Sequence, residues 1–370
     1  MSFTLGKKSG SSHSRRRSRG VVAAIVAGLS LALVLAGCAG APAKSNDVSG
    51  SKKVTEASLL KSALAGPPLS IYGAVNPTSM ANMIKAFEAE YNVNVVYTDL
   101  VQGPMIARYT AEAQAGNVKA DLVFSGDPTF FNDGASAKWF QPVNTKDIPN
   151  ARELPKQYFY GNSLGVGVQR LDGVITNSKS VSSSEVPKTW KSITDPKWQG
   201  QVAALDPRPI SVAMYVWEEL DKKYGDKFLE GVAKQNVEWT PSGLPGAEAI
   251  AAGEKKAFYG GSQGFTAPVL ATAPNANLNP VHIFSDLHIG YIWNAGVSKN
   301  SPNPAAAKLF LSWLLTPQGQ RLMGSASDQP SVLPNVVING AVAPEKDFFV
   351  IKGSVSTAEG QRLTQLLGLQ

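Results

Sequence analysis

The chain has 370 residues, 43% of them hydrophobic, which allows a sizeable core and, at about 100–200 residues per domain, two domains. Its formal charge is +7, but the basic residues crowd the start: residues 1–37 hold six Lys and Arg and no acid, and without them the charge is +1. No basic patch interleaved with aromatic residues remains, which excludes nucleic acid as the natural partner, and a single cysteine excludes a disulfide framework.

The first stretch ends at Leu35-Ala36-Gly37-Cys38. A basic segment with Lys7, Lys8, Arg15, Arg16, Arg17 and Arg19 leads into the 15-residue run Val21 to Leu35. As a helix this run would reach about 22 Å, short of the roughly 30 Å of a hydrocarbon core. A basic segment, a short apolar run and small residues at a cleavage point describe an export signal. Ser14-Arg15-Arg16-Arg17 also hints at a twin-arginine signal. Leu-Ala-Gly-Cys resembles the lipobox of bacterial lipoproteins, which implies lipidation of Cys38 and a stable two- or three-chain membrane anchor. No second apolar run approaches 18 residues, so no transmembrane helix is expected.

Residues 39–53 are small and polar and read as a flexible tether. A short helix over 54–65 ends at Gly66-Pro67-Pro68. Leu69 to Ala74 reads as a strand, and Asn76-Pro77 as a cap with proline opening the next helix. Met80, Met83, Ile84, Phe87 and Tyr91 mark that helix's inner face. Val93 to Tyr97 is a strand, Gly103 to Gly116 a helix, Asp121 to Phe124 a strand, and Pro128 to Ala137 a short helix. Strand and helix alternating at this spacing predict parallel sheet.

The rhythm changes over Tyr158 to Asn177, where four glycines punctuate two extended pieces, Leu164 to Gln169 and Val174 to Thr176. This reads as a crossover into a second lobe. Beyond it lie short turns over Trp190 to Trp198, a strand at Val202 to Leu205, and helices over 211–223, 226–234 and 244–252. Lys256 to Tyr259 is a strand; Val281 to Phe284 and Tyr291 to Val297 are extended and return toward the first lobe. Asn303-Pro304 repeats the cap-and-proline device, Thr316-Pro317 starts another helix, and a last helix covers about Thr357 to Leu367.

Catalytic signatures are absent from the sequence. His282 and His288 stand six apart, which suits neither a helical pair nor a common zinc spacing, and no nucleophile elbow, phosphate loop or dinucleotide fingerprint occurs. Glu218-Glu219 reads as solvated helix surface. No enzymatic activity, cofactor or resident metal is expected.

Together the export signal, the opening strand with Asn76-Pro77, Ala120-Asp121-Leu122-Val123, Ala247 to Gly253, and Ser301-Pro302-Asn303-Pro304 through Gln320 resemble bacterial extracellular solute-binding proteins, in the branch of iron(III) and small-anion receptors of ABC transporters. The resemblance covers about residues 69–325 and rests on the order of its motifs. It implies an α/β, two-lobed periplasmic-binding-protein fold (type II-like), each lobe a mixed sheet flanked by helices, with a hinge between them. The expected division is 1–37 signal peptide, 38–68 lipid-anchored tether and short helix, 69–165 first part of lobe 1, 166–278 lobe 2, and 279–370 return to lobe 1 with C-terminal helices. It further implies capture of a small solute and delivery to an ABC permease by a monomer, lipid-anchored on the outer face of the cytoplasmic membrane. The alternatives are a ferric receptor and a surface lipoprotein acting as sensor or adhesion partner without transport. The adjacent tyrosine pair of ferric-binding members is missing; Phe258-Tyr259 and Tyr291 stand nearest to it.

Candidate ligand-binding residues follow the strands of an α/β fold, where such folds bind ligands. Asn76, Thr78 and Ser79 begin a helix whose dipole favours an anion, or simply cap it. Ser125 and Gly126 follow a strand, with Asp127 as the cap of the next helix. Arg208 and Ser211 open a second-lobe helix, where a guanidinium would clamp an anion from the far side unless an acid pairs with it. Tyr259 and Gly260 follow another strand, with core packing as the alternative for Tyr259. Asn162 is a hinge or cleft residue, and Trp293 reads as core. Cys38 is the lipidation site.

Overall fold

The computed structural model describes residues 54–75, 77–325 and 329–369. The export signal, tether, Cys38 and Asn76 lie outside the described residues.

The chain enters through α1 (Glu56–Leu64), opened by a reciprocal cap in which Thr55 Oγ1 accepts from the Ser58 amide and Ser58 Oγ accepts from the Thr55 amide. Then come β1 (Leu69–Gly73), α2 (Pro77–Tyr91), β2 (Val95–Asp99), α3 (Gln102–Gln114), β3 (Leu122–Ser125) and α4 (Pro128–Ser136). β1 lies between β2 and β3, parallel to both. β4 (Phe159–Tyr160) and β5 (Ser163–Arg170) form a hairpin turning at Gly161, whose φ of 56° suits glycine. The chain then leaves this sheet.

A second sheet begins two residues later with β6 (Gly173–Thr176). It continues through β7 (Val202–Leu205), α5 (Ser211–Tyr224), α6 (Asp226–Ala233), β8 (Glu238–Thr240), α7 (Gly243–Ala252), β9 (Ala257–Gly261), α8 (Gln263–Thr272) and β10 (His282–Ile283), with strand order β10-β6-β9-β7-β8. β11 (Ile289–Val297) brings the chain back and pairs antiparallel with both β3 and β5. The first sheet thus runs β2-β1-β3-β11-β5-β4. After α9 (Pro304–Leu314) and α10 (Pro317–Ser325), β12 (Phe349–Val350) adds to β11. Each lobe is therefore a mixed sheet with flanking helices, as the sequence implied.

Three short strands, β4, β8 and β12, were not expected. The last helix, α11 (Thr357–Leu366), belongs to the second lobe rather than returning to the first. It packs against α5 and α6, and Arg362 holds Asp226 at 2.7 Å and also pairs with Asp221.

Two of the sequence motifs meet in the first lobe. Asp121 is fully buried; one carboxylate oxygen accepts from the Ser70 amide at 2.8 Å, the other from the Asn303 amide at 2.6 Å and Ser301 Oγ at 2.5 Å. Asn303 in turn caps α9 through the Ala306 amide and donates to the carbonyls of Ala63 and Pro67. The carboxylate thus pins β1, β3 and the start of α9 together, and its buried charge is satisfied by donors from all three. Below it, Phe87 and Phe310 meet edge to face at 4.9 Å and Trp313 closes the cluster, geometry worth about 0.5–1.5 kcal/mol per pair beyond area.

The lobes are joined at Leu171-Asp172, between β5 and β6, and at 284–288, between β10 and β11. The path from β12 to α11 crosses a third time. A buried ion cluster sits at these connections. Arg170 grips Asp172 with two bonds (Nε–Oδ1 2.9 Å, a terminal nitrogen to Oδ2 2.6 Å) and reaches Glu345 at 2.7 Å. His288 Nδ1 stands 3.4 Å from Asp172. No helix among the described residues is long and apolar enough to cross a membrane.

Candidate ligand cleft

Parallel strands deliver their following turns to one edge of a sheet, and in this fold the edges of both sheets face a common cavity of about 320 Å³. The first lobe contributes the turns after β1 and β2, with Val75, Ser79, Asp99 and Gln102, and the aromatic side chains Tyr291 and Trp293 from β11. The second contributes the turns after β7 and β8, with Pro209, Ile210 and Ser242, and the start of α8 with Phe265. The size falls within the range of small-molecule sites.

The wall is mostly apolar. Its one carboxylate among the described residues is Asp99; no lysine or arginine lines it. The remaining polarity comes from neutral side chains, Ser79, Gln102, Gln169, Ser242 and Gln329 among them, and from backbone. α3, α5, α7 and α8 all begin at the cavity, and the residues before them (Val101, Ile210, Ser242, Ser262) make no side-chain cap bond. The first N–H groups of a helix have no partner within it, and its dipole puts partial positive charge there. Three of these helices come after second-lobe strands β7, β8 and β9, and one after first-lobe strand β2.

The expected residues divide sharply. Ser79 lines the cavity; Thr78 is exposed beside it. Ser125 is fully buried behind the wall, its Oγ accepting from the Asp127 amide at 3.0 Å. Asp127 caps α4 through the amides of Thr129 and Phe130. Gly126 acts indirectly: a Cβ there would stand 2.3 Å from the Tyr291 ring. Gly126→Ala should displace that ring and cost about 1–3 kcal/mol, read as a lower denaturant midpoint; an unchanged midpoint would mean that Tyr291 is not seated against this turn.

Arg208 does not enter the cleft. Its side chain is half exposed and folds back on Asp206, with Nε at 3.0 Å and a terminal nitrogen at 2.7 Å. The nearby acid takes the fork that an anion would have used. Tyr259 is a core residue, 1% exposed, stacked on Phe284 and bonded to Ser192 Oγ at 2.9 Å; burial raises its hydroxyl pKa well above the ordinary value. Gly260, at φ 75°, borders only a 20 Å³ void beside Tyr259, room for about a single water molecule. Asn162 lies in the β4–β5 turn, away from the cavity. Trp293, expected in the core, is buried yet forms part of the cavity wall.

Ser211 takes a role that sequence reasoning missed. From the first position of α5 its Oγ donates to Asp127 Oδ2 at 2.7 Å and accepts from Gln102 Nε2 at 3.3 Å. It bridges the second lobe to the first beside the cavity. Also missed were Gln169 and Gln329, buried amides in the wall that sequence offers no spacing signal to find.

A ferric ion is a poor match for the donors present. Tyr291 and Asp99 are the only side chains in the wall that offer anionic oxygen among the described residues. Burial raises the Tyr291 hydroxyl far above its ordinary value, so the phenol is neutral at pH 7.

The match to known proteins fits this geometry. Residues 73–321 match the model of the bacterial extracellular solute-binding protein family, and the chain belongs to that family. It is 24% identical over 250 residues to iron uptake protein A2 of Synechocystis, covering 63% of this chain and 70% of that one. Among the solved structures that share the fold are two examples. One is the substrate-binding protein of an ABC transporter from Agrobacterium tumefaciens (TM-score 0.72, 16% identity, 82% of this chain and 94% of that one). The other is the periplasmic binding protein AfuA of Actinobacillus pleuropneumoniae with fructose-6-phosphate bound (TM-score 0.67, 21% identity, 82% and 99%).

Proposed function

We propose that this protein is the extracytoplasmic receptor of an ABC importer. It is anchored by lipid at Cys38, acts as a monomer, and holds a small organic anion between its lobes for delivery to a membrane permease. The observation that carries the ligand reading is the convergence on one cavity of four helix N-termini without side-chain caps. They present backbone N–H groups from both lobes, so an anion held between them favours closure over opening. An anion therefore needs no cationic side chain here. Membership in a solute-binding family, and the phosphate ester in AfuA, support the same reading.

Thermal shift with phosphate esters, carboxylates, sulfate, polyamines and ferric citrate tests it. Saturation at 100 times the dissociation constant adds about 2.7 kcal/mol, a rise of a few degrees for a chain of this size. Organic anions should raise the melting temperature, and Arg208→Ala should leave that rise intact, since its guanidinium is committed to Asp206. Stabilisation by polyamines or ferric citrate alone would sink the anion reading. Cys38→Ser should release the protein from the membrane fraction; persistent membrane association would place the anchor elsewhere.

A further inference from the structure

Gln169, near the end of β5, is 3% exposed, and its amide is oriented without ambiguity. Its Nε2 donates to the Arg170 carbonyl at 3.2 Å and to Ser262 Oγ at 2.5 Å. A carbonyl can only accept, so the nitrogen must face it and Gln169 Oε1 must face the other way. There it meets Gln329, which therefore presents its own Nε2 to Gln169 Oε1. One amide fixes the other, and the consequence falls on Gln329 Oε1. That oxygen is buried in the cavity wall and has no hydrogen-bond partner among the described residues. Buried acceptors are almost always satisfied, and this one belongs to a residue that lines the space a solute would fill.

We infer that Gln329 Oε1 is the specificity-determining acceptor of the cleft, and that the solute is an organic anion carrying a hydroxyl or amine donor on its body. The inference rests on the anion reading above and narrows it. Helix N-termini offer only donors, so they select the charged end; Gln329 offers only an acceptor, so it selects a donor elsewhere on the same molecule. A cavity of about 320 Å³ walled by Tyr291, Trp293 and Phe265 suits a body with apolar faces, and leaves a bare phosphate or sulfate mostly surrounded by empty space. A donor-free analogue would bury Gln329 Oε1 against carbon and lose its compensation.

Calorimetric titration with matched pairs tests this: glycerol 3-phosphate against propyl phosphate, and 3-phenyllactate against 3-phenylpropanoate, with inorganic phosphate alongside. The donor-bearing member of at least one pair should bind about 10- to 100-fold tighter. In Gln329→Leu the preference should collapse while the donor-free member binds as before. Gln329→Asn keeps both the donor that meets Gln169 and the acceptor, and should keep the preference, which covers the case in which the leucine variant does not fold. Equal affinity within both pairs overturns the inference, as does a preference that survives in Gln329→Leu, inorganic phosphate binding as tightly as the esters, or no binding by any member. Glycerol or 3-phenyl-1,2-propanediol serves as the neutral arm. If the neutral compounds match their acids and the preference still depends on Gln329, the anion reading fails and the role of Gln329 stands.

Discussion

Asp172→Ala is expected to cost about 3–5 kcal/mol of folding free energy. The substitution leaves the Arg170 guanidinium, itself 3% exposed, in a site from which its bidentate partner has gone. Glu345 remains, but it is about a third exposed and makes one contact to that guanidinium, so it compensates only in part. At a little over 2 °C per kcal/mol for a chain this long, the melting temperature should fall by roughly 6–12 °C. Replacing both partners by apolar residues of similar volume, Arg170→Met with Asp172→Leu, should do much less harm, because no charge is then buried alone. Urea titration of the two single variants and the double variant reads the coupling directly. Single-variant losses that simply add in the double variant would show that the cluster is not a unit. The position makes the result matter for function. Arg170 ends β5, Asp172 precedes β6, His288 precedes β11 and Glu345 precedes β12, so the cluster ties together the connections on which the lobes turn.

The same cluster shows why some of the molecule was legible in the sequence and some was not. β1, β3 and β7 are short apolar runs between turn residues, a purely local signal, and they formed close to where the pattern puts them. α2 and α9 follow Asn-Pro steps that fix their starts. β8 and β12 have three and two residues; too short for alternation, they exist because a neighbouring strand offers its edge. The cleft was legible as a place, since turns after parallel strands must gather at one edge, but not as chemistry. Arg208 could point to a ligand or to Asp206 two residues earlier, and the short loop to the acid prevails. Tyr259 follows a strand as a site residue would, yet its side chain faces the Trp190 and Phe284 side of the sheet. Gln169 and Gln329 are 160 positions apart and neutral; only the closed fold makes them neighbours.

Ser211→Ala should shift the lobes toward opening without touching the cavity wall's apolar surface. Ser211 Oγ donates to a carboxylate across the lobe boundary, and such a bond contributes about 1.5 kcal/mol or more when its partner is charged. Losing it lowers the closed-to-open ratio about tenfold. Spin labels on exposed lobe surfaces, at Asp133→Cys and Lys227→Cys with Cys38→Ser so that no other thiol reacts, would report this by pulsed dipolar spectroscopy without any solute. The long-distance population should grow in Ser211→Ala and revert in Ser211→Thr, which keeps the hydroxyl. An unchanged distance distribution in the alanine variant would show that the contact follows closure rather than favouring it. Asp127→Asn offers a second arm, because asparagine still caps α4 while the charge facing Ser211 is removed. The apparent dissociation constant of a cleft ligand is its intrinsic value divided by the closed fraction, so a receptor that is mostly open should lose affinity by nearly the full tenfold. A contact of this strength is also self-limiting. It is made by one hydroxyl at the cleft edge, strong enough to favour the arrangement in which the helix N-termini of both lobes face one solute, and weak enough for thermal opening to let that solute in.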